Sequence, residues 1–531
     1  MSKGPKKGPL RVTVPSRNDS VVKSLVGAIG GPLGRRTAPG VVSPGFWRIE
    51  RVLLVLVAIA GVIAIFTKTT CRINGWGDPY RYIGMCYSDW TALWGARGFN
   101  ETPFAPFDSG QEPFEYPAGM AIIASLVSLF VPRSLEPRQQ SLLYFDINAF
   151  LAVVLWAVVV IAVAKMSSRR IWDAAMVALS PAIILALTVN WDMWAIALMV
   201  TGLFAVAREH PWLGGILIGI GGAVKLFPLL VLGAFFTLAW RTRRWHVFGK
   251  IAGGAGIGWL VINLPVYLID PKRWAVFYTF SSDRGAGFSS TWELWNMTIG
   301  RSAPDLVLTA DTISLLGIIF FGFWCLGVLM LGLIAPYRPR VAQLSFLILA
   351  MFVLIGKVYS PQFVMWLVPL AVLAYPRWRA LLLWQLFEVF HFVAIWMRLY
   401  GMAQPDQARG FFPDWIFSMT VLGHIASLGA LMFLVIRCIL RPEEDPVRRV
   451  GLDDPLGGLF ASPQRRGARA AKGRRKAGTK PRRSTSEPTR ARTGTSEPTR
   501  ARASATDASA TRTSPTRASA SRAASSEQGE S

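Results

Sequence analysis

The sequence predicts an all-α polytopic membrane protein, and three observations predict it. Apolar stretches of roughly fifteen to twenty-five residues recur from Val52 to Leu440. A helix needs about 20 apolar residues to cross a hydrocarbon layer about 30 Å thick. Charged residues are 17% of the chain and apolar residues 52%, against roughly 25% charged in a soluble domain. The segments joining the apolar runs are short and carry Arg, Lys, Gly or Pro.

Taken in order, residues 1–45 are rich in Gly, Pro and Lys and read as a disordered basic cytoplasmic arm. About fifty polar residues precede the first apolar run, too many for a cleavable leader, so that run reads as a signal anchor. The folded region is 46–440. Residues 441–531 are dominated by Arg, Ser, Thr, Ala and Pro, with "TSEPTRAR" at 485–492 and again at 495–502. They read as a disordered low-complexity basic cytoplasmic tail, because so few apolar groups cannot offset the entropy of ordering. Of the net charge of +26, residues 1–51 carry +8 and residues 441–531 carry +10. The high pI therefore describes the flanks, and fits positive-inside topology, anionic headgroups or a cytoplasmic partner of the tail. Nucleic acid is not an expected partner, since Phe460 is the tail's single aromatic.

Basic clusters orient the helices. "SSRR" (167–170), "AREH" (207–210), "RTRRW" (241–245), "YRPR" (337–340) and "PRWR" (376–379) are short and positive. The segments 68–117, "NWD" (190–192), 270–310, "KVYSPQ" (357–362) and 399–414 instead carry acids, Trp and Pro. With the basic clusters cytoplasmic, the second set shares the outer face, giving about twelve spans (11–13) with both termini inside a cell membrane. The run 118–132 is too short to span, and a re-entrant or interfacial helix there restores the parity. Segment 212–240 must form two short helices meeting near "KLFP".

The candidate chemistry lies on the outer set. The aromatic-rich loop 68–117 holds Asp89 in "CYSDWTALWGARG", where Ser88 or Asp89 could alternatively cap a short helix. Asp78 and Asp108 read as turn residues. Glu115, in "FEYPAG", stands at the entrance of the next apolar run. Asp192 follows Asn190 in "NWD", and both also suit a helix cap. Lys225 lies in "GIGGAVKLFPLL", with uncharged residues far to either side. An intramembrane Lys is costly unless it is paired, faces a wet cavity or snorkels. Gly-Gly before it and Pro after it interrupt the helix, as in polar sites built from broken helices. Lys357 repeats the pattern with Tyr359, Ser360 and Gln362 before a further apolar run. Cations suit a phosphate and a carboxylate suits deprotonation of a hydroxyl. That pairing fits transfer of a sugar from a lipid phosphate to an alcohol. Cys71 and Cys86 share the loop and could form a disulfide outside the cytoplasm, which spacing alone leaves open. Cys325 and Cys438 read as small apolar packing residues. No Walker loop, His/Cys metal cluster or nucleotide-binding Gly fingerprint is present, so no cofactor is expected and a divalent ion is left open.

The ordered motifs "CYSDW", "FEYP", "NWD", "AVKLFPLLVL" and "KVYSPQFVMWLVPL" resemble those of bacterial GT-C superfamily glycosyltransferases, similar to polyprenyl-phosphate-mannose-dependent mannosyltransferases. The resemblance covers about 46–440. It implies a GT-C-like fold with a large first extracytoplasmic loop, a polyprenyl-phosphate sugar donor (mannose by analogy), a lipid or cell-envelope glycan acceptor, and inversion at the sugar. It further implies Asp89 as general base, Lys225 and Lys357 beside the leaving phosphate, Glu115 and Asp192 at sugar hydroxyls or orienting a lysine, and Tyr359 and Gln362 as substrate-binding donors. The chain departs from the relatives in having no His near "YSPQFVMW". His391 reads as a packing residue with Glu388 as partner. Two rivals are a transporter or flippase for an anionic substrate, although no internal hydropathy repeat is evident, and a scaffold acting through its basic tail.

Overall fold

Apolar runs become helices throughout, but in two lengths. The computed structural model describes residues 19–30, 48–404 and 412–461, and among these there is no strand. Among the described residues six helices are long and apolar enough to cross a membrane: Ile49–Phe66, Pro137–Met166, Trp245–Ile269, Ala310–Ile334, Trp378–Ala403 and Asp414–Leu440. Six shorter apolar helices accompany them: Ala118–Ser128, Asp192–Ala207, Pro211–Val224, Phe227–Thr242, Val341–Ile355 and Pro361–Ala374. Against the about twelve spans expected, six helices among the described residues have spanning length, and the other apolar runs form helices of 10–17 residues. The 118–132 run contributes an 11-residue helix, about 16 Å long at 1.5 Å per residue and too short to span.

Burial sorts the helices by layer. Every residue of Val364–Ala374 is buried, as expected of a helix that is apolar all round and lies at the centre. In Ala310–Ile334 only Ile313, Val328 and Gly332 are buried, so most of its apolar surface is left to face the hydrocarbon layer. Between Pro211–Val224 and Trp245–Ile269, glycines permit backbone contact. A Cβ on Gly215 would lie 2.1 Å from Ile251 O, and one on Gly219 would lie 2.0 Å from Ala255 O. Small residues at such crossings let helices pack without a hydrophobic driving force.

The connecting segments gather into the two sets that charge predicts. Arg273 donates to Gln111 O (2.8 Å) and Pro106 O (3.4 Å), tying 270–310 to 68–117. Asp89 N donates to Val189 O (2.7 Å), Gly287 N to Lys357 O (2.7 Å) and Arg301 to Asp414 (2.9 Å). Two of the basic clusters are joined directly, Arg170 donating to Pro376 O (3.3 Å), and Arg244 reaches Leu459 O (3.0 Å) beyond the last long helix.

Those bonds correct the boundary at 440. Residues 441–461 are folded onto the helix ends. Asp445 is fully buried and takes Nε and Nη2 of Arg340 at 2.8 and 3.0 Å. Arg340 also donates to Leu373 O and Ala374 O, both at 2.6 Å. Phe460 is buried against Phe235. Composition missed this because the segment needs only a few apolar anchors; its Asp445 and Asp453 are held by Arg340 and Arg338, over a hundred positions away. A helix, Ser20–Gly30, likewise occurs within the expected arm. The rest of the arm and the tail repeat lie outside the described residues.

Candidate active site

Three breaks in the helices build the site. Pro181–Ala186 and Asp192–Ala207 are separated by 187–191. Pro211–Val224 ends at Lys225, whose φ of −156° and ψ of 140° are extended, before the turn Phe227–Val231. Val341–Ile355 ends before the extended segment leading to Pro361–Phe363. Gly-Gly and Pro make interruption cheap at Lys225, and the freed backbone turns polar side chains inward.

Lys225 Nζ donates to Asp192 Oδ1 at 2.8 Å, and Trp366 Nε1 donates to Asp192 Oδ2 at 2.8 Å. Asp192 is fully buried, whereas the Lys225 side chain keeps 15% of its surface accessible. The ammonium also lies 4.8 Å from the Tyr116 ring centroid and 5.7 Å from those of Phe363 and Trp366. A charged, aromatic-lined cation is thus paired on one side and open on the other. Tyr116 Oη donates to Asp89 Oδ2 at 2.5 Å. Burial raises the Asp89 carboxyl above its ordinary range, while hydrogen bonds from Tyr116 and Tyr87 and the Lys225 charge draw it back, and Asp192 opposes them. Asp89 is nonetheless only half-buried, so a carboxylate enclosed by protein still faces accessible space. Burial also holds the Tyr116 hydroxyl protonated, which keeps it a donor to Asp89.

The alternative roles separate cleanly. Asp89 is the first residue of Asp89–Ala96, yet neither it nor Ser88 makes a side-chain cap bond. Its carboxylate is spent on Tyr116. At the first break Asn190 Oδ1 accepts from Asp192 N (3.0 Å), leaving the Asp192 carboxylate free for Lys225.

The Asp89 segment is braced from behind. Cys71 and Cys86 form a disulfide. Lys68, fully buried, donates to Met85 O (3.1 Å) and Leu185 O (3.2 Å), joining the segments that carry Asp89 and Asp192. Burial pushes its ammonium down to about 7.

The sequence model of glycosyltransferase family 87 matches residues 114–356. The chain is a membrane glycosyltransferase. No curated protein matches it. The matched span begins at Phe114, two residues before Tyr116, and contains Asp192 and Lys225. Asp89 and Trp366 come from outside it and are joined to the matched residues only by folding.

Other sequence candidates sit elsewhere in the glycosyltransferase. Glu115 pairs with Arg97 at 2.8 Å rather than with a lysine. Lys357 Nζ donates to Ser282 O (2.6 Å), and none of its contacts is with Asp89, Asp192 or Lys225. Tyr359 donates to Glu388 (2.8 Å) in a buried group with Trp384, His391 and His424. Glu388 therefore bonds Tyr359 and Trp384 instead of His391. Gln362 is buried beside Phe363. Sequence reasoning passed over Tyr116, Trp366 and Lys68. The first two lie inside motifs that stand out by their charged residues, and Lys68 stands two residues past the end of the span Ile49–Phe66, where a lysine usually snorkels.

Proposed function

We propose that the glycosyltransferase moves a hexose, mannose by the family likeness, from a polyprenyl phosphate to a hydroxyl of a lipid or envelope glycan, on the outer face of a cell membrane. Asp89 is the general base. It takes the proton of the acceptor hydroxyl as that oxygen bonds the anomeric carbon, and the sugar–phosphate bond breaks with its electron pair on the phosphate oxygen. Lys225 receives the charge that develops there. Displacement from the face opposite the phosphate inverts the anomeric centre. Asp192 and Trp366 hold Lys225 in place, and Tyr116 orients Asp89. One observation carries this reading: a half-buried carboxylate and a half-buried ammonium meet around the Tyr116 ring, at a junction of broken helices. Asp89→Asn should abolish transfer of radiolabelled mannose from polyprenyl phosphate to membrane lipid, with membrane insertion unchanged. Loss of about 10²–10⁴-fold is the range for removing a general base. Transfer at the wild-type rate in that variant sinks the assignment of the base.

A further inference from the structure

The basic end of the helix bundle takes no part in this chemistry, yet it contains a built cavity. Three basic stretches far apart in sequence, 167–170, 376–379 and 446–449, contribute to the walls of a space of about 220 Å³. Asp19, at the start of Ser20–Gly30, lines it as well. Arg170 is committed to the walls. Its guanidinium bonds both oxygens of Asp173 (2.7 and 3.1 Å) and reaches Pro376 O (3.3 Å) and Pro446 O (3.5 Å). That pair closes on itself and leaves Asp173 no charge to offer a ligand.

Arg377 differs. Among the described residues it has no carboxylate within ion-pair distance, and its Nε is buried without a hydrogen-bond partner. The neighbouring Trp378 Nε1 is also buried and unpartnered. Arg449 is exposed and uses Nε on Glu443 O (2.6 Å). Trp378 opens a 26-residue helix, whose first N–H groups have no partners within the helix and whose positive dipole end lies at the cavity wall. Against these donors stands Asp19, one of whose oxygens already accepts Val21 N and Val22 N (3.0 and 3.3 Å). A buried donor without an acceptor costs about 1–3 kcal/mol, so the cavity is short of acceptors and carries surplus positive charge. A guanidinium fork matches a phosphate in charge and in geometry.

We propose that this cavity binds a phosphate group, as an anionic lipid headgroup or as free phosphate, with Arg377 and Arg449 as its cations and Trp378 as a neutral donor. The site is independent of the transferase chemistry, since it shares no residue with the Asp89–Lys225 group.

The test uses the full-length protein purified in a nonionic detergent and stripped of lipid. Binding of inorganic phosphate, short-chain phosphatidylglycerol and short-chain phosphatidylcholine is measured calorimetrically on wild type, Arg377→Gln and Arg377→Lys. The expected result is binding of phosphatidylglycerol or phosphate, weakened about tenfold or more by Arg377→Gln, equal to about 1.4 kcal/mol, and partly restored by Arg377→Lys. Saturation by phosphatidylglycerol alone identifies a headgroup site, and saturation by inorganic phosphate as well identifies a phosphate site. Among the described residues Arg377 holds no ion pair, so Arg377→Gln should keep the wild-type elution profile, and Trp378→Phe supplies a second variant that keeps an aromatic ring. Absence of binding by both anions, equal binding of phosphatidylcholine, or unchanged affinity in both Arg377→Gln and Trp378→Phe overturns the proposal.

Discussion

Asp89 and Asp192 each occupy the first position of a helix, where an acid ordinarily stabilises the dipole by about 0.3–1 kcal/mol. Each instead spends its carboxylate on a group distant in sequence: Tyr116 for Asp89, Lys225 and Trp366 for Asp192. Residue type and local position were legible in the sequence, and the partner was not, because a cap and a base look alike until the acceptor is seen. Tyr116 gives a prediction with a definite sign. Its hydrogen bond favours the Asp89 carboxylate and lowers a pKa that burial has raised. Tyr116→Phe removes that bond, so the Asp89 pKa rises further. The acidic limb of the kcat profile, already above the ordinary carboxylate range, should move to higher pH, and activity near neutrality should fall. An unmoved acidic limb would mean that another group sets it.

At the scale of elements, the site depends on breaks and on braces. Gly221-Gly222 and Pro228 announced the break at Lys225, and Pro361 the one before Trp366; Cys71 and Cys86 offered one fastening of the loop segment 84–89, and nothing in the sequence marked the second. The disulfide closes a 15-residue separation, a restraint of about 3 kcal/mol in the chain-entropy account. Lys68 adds a second fastening through two main-chain carbonyls. Lys68→Met keeps most of the buried stem and deletes both bonds. It should lower kcat about tenfold, near the about 1.5 kcal/mol of a bond to a charged group, while leaving the donor KM little changed. Lys68→Gln, which retains donors, should recover part of the loss. Equal changes in KM and kcat, or no change at all, would show that Lys68 does not position Asp89.

At the scale of the whole molecule, charge segregation predicted associations between connecting segments, and bonds join members of each set. It did not predict that 441–461 closes the basic end. Arg340 is buried with Asp445 as its carboxylate partner, and stripping a buried ion of its partner costs about 3–5 kcal/mol. Truncation after Leu440 should therefore lower the unfolding temperature sharply and depress activity. Truncation after Ala461 should leave both near wild type. A shortened chain ending at Leu440 that is as stable as wild type would remove 441–461 from the folded unit; loss of activity on truncation after Ala461 would favour the tail as a functional element.

By itself, the sequence determined what depends on nearest neighbours: helical runs long enough for lipid, interruptions at Gly and Pro, the sorting of segments by charge, and the residue types that suit phosphate and proton transfer. The tertiary structure decided what depends on distance through space. It chose Asp192 and not Glu115 as partner of Lys225, sent Tyr359 to Glu388, left Lys357 on Ser282 and brought Tyr116 to Asp89. Hydrogen bonds and ion pairs fall away within a few ångströms, so one turn of a helix or one break in it is enough to choose among equally suitable side chains.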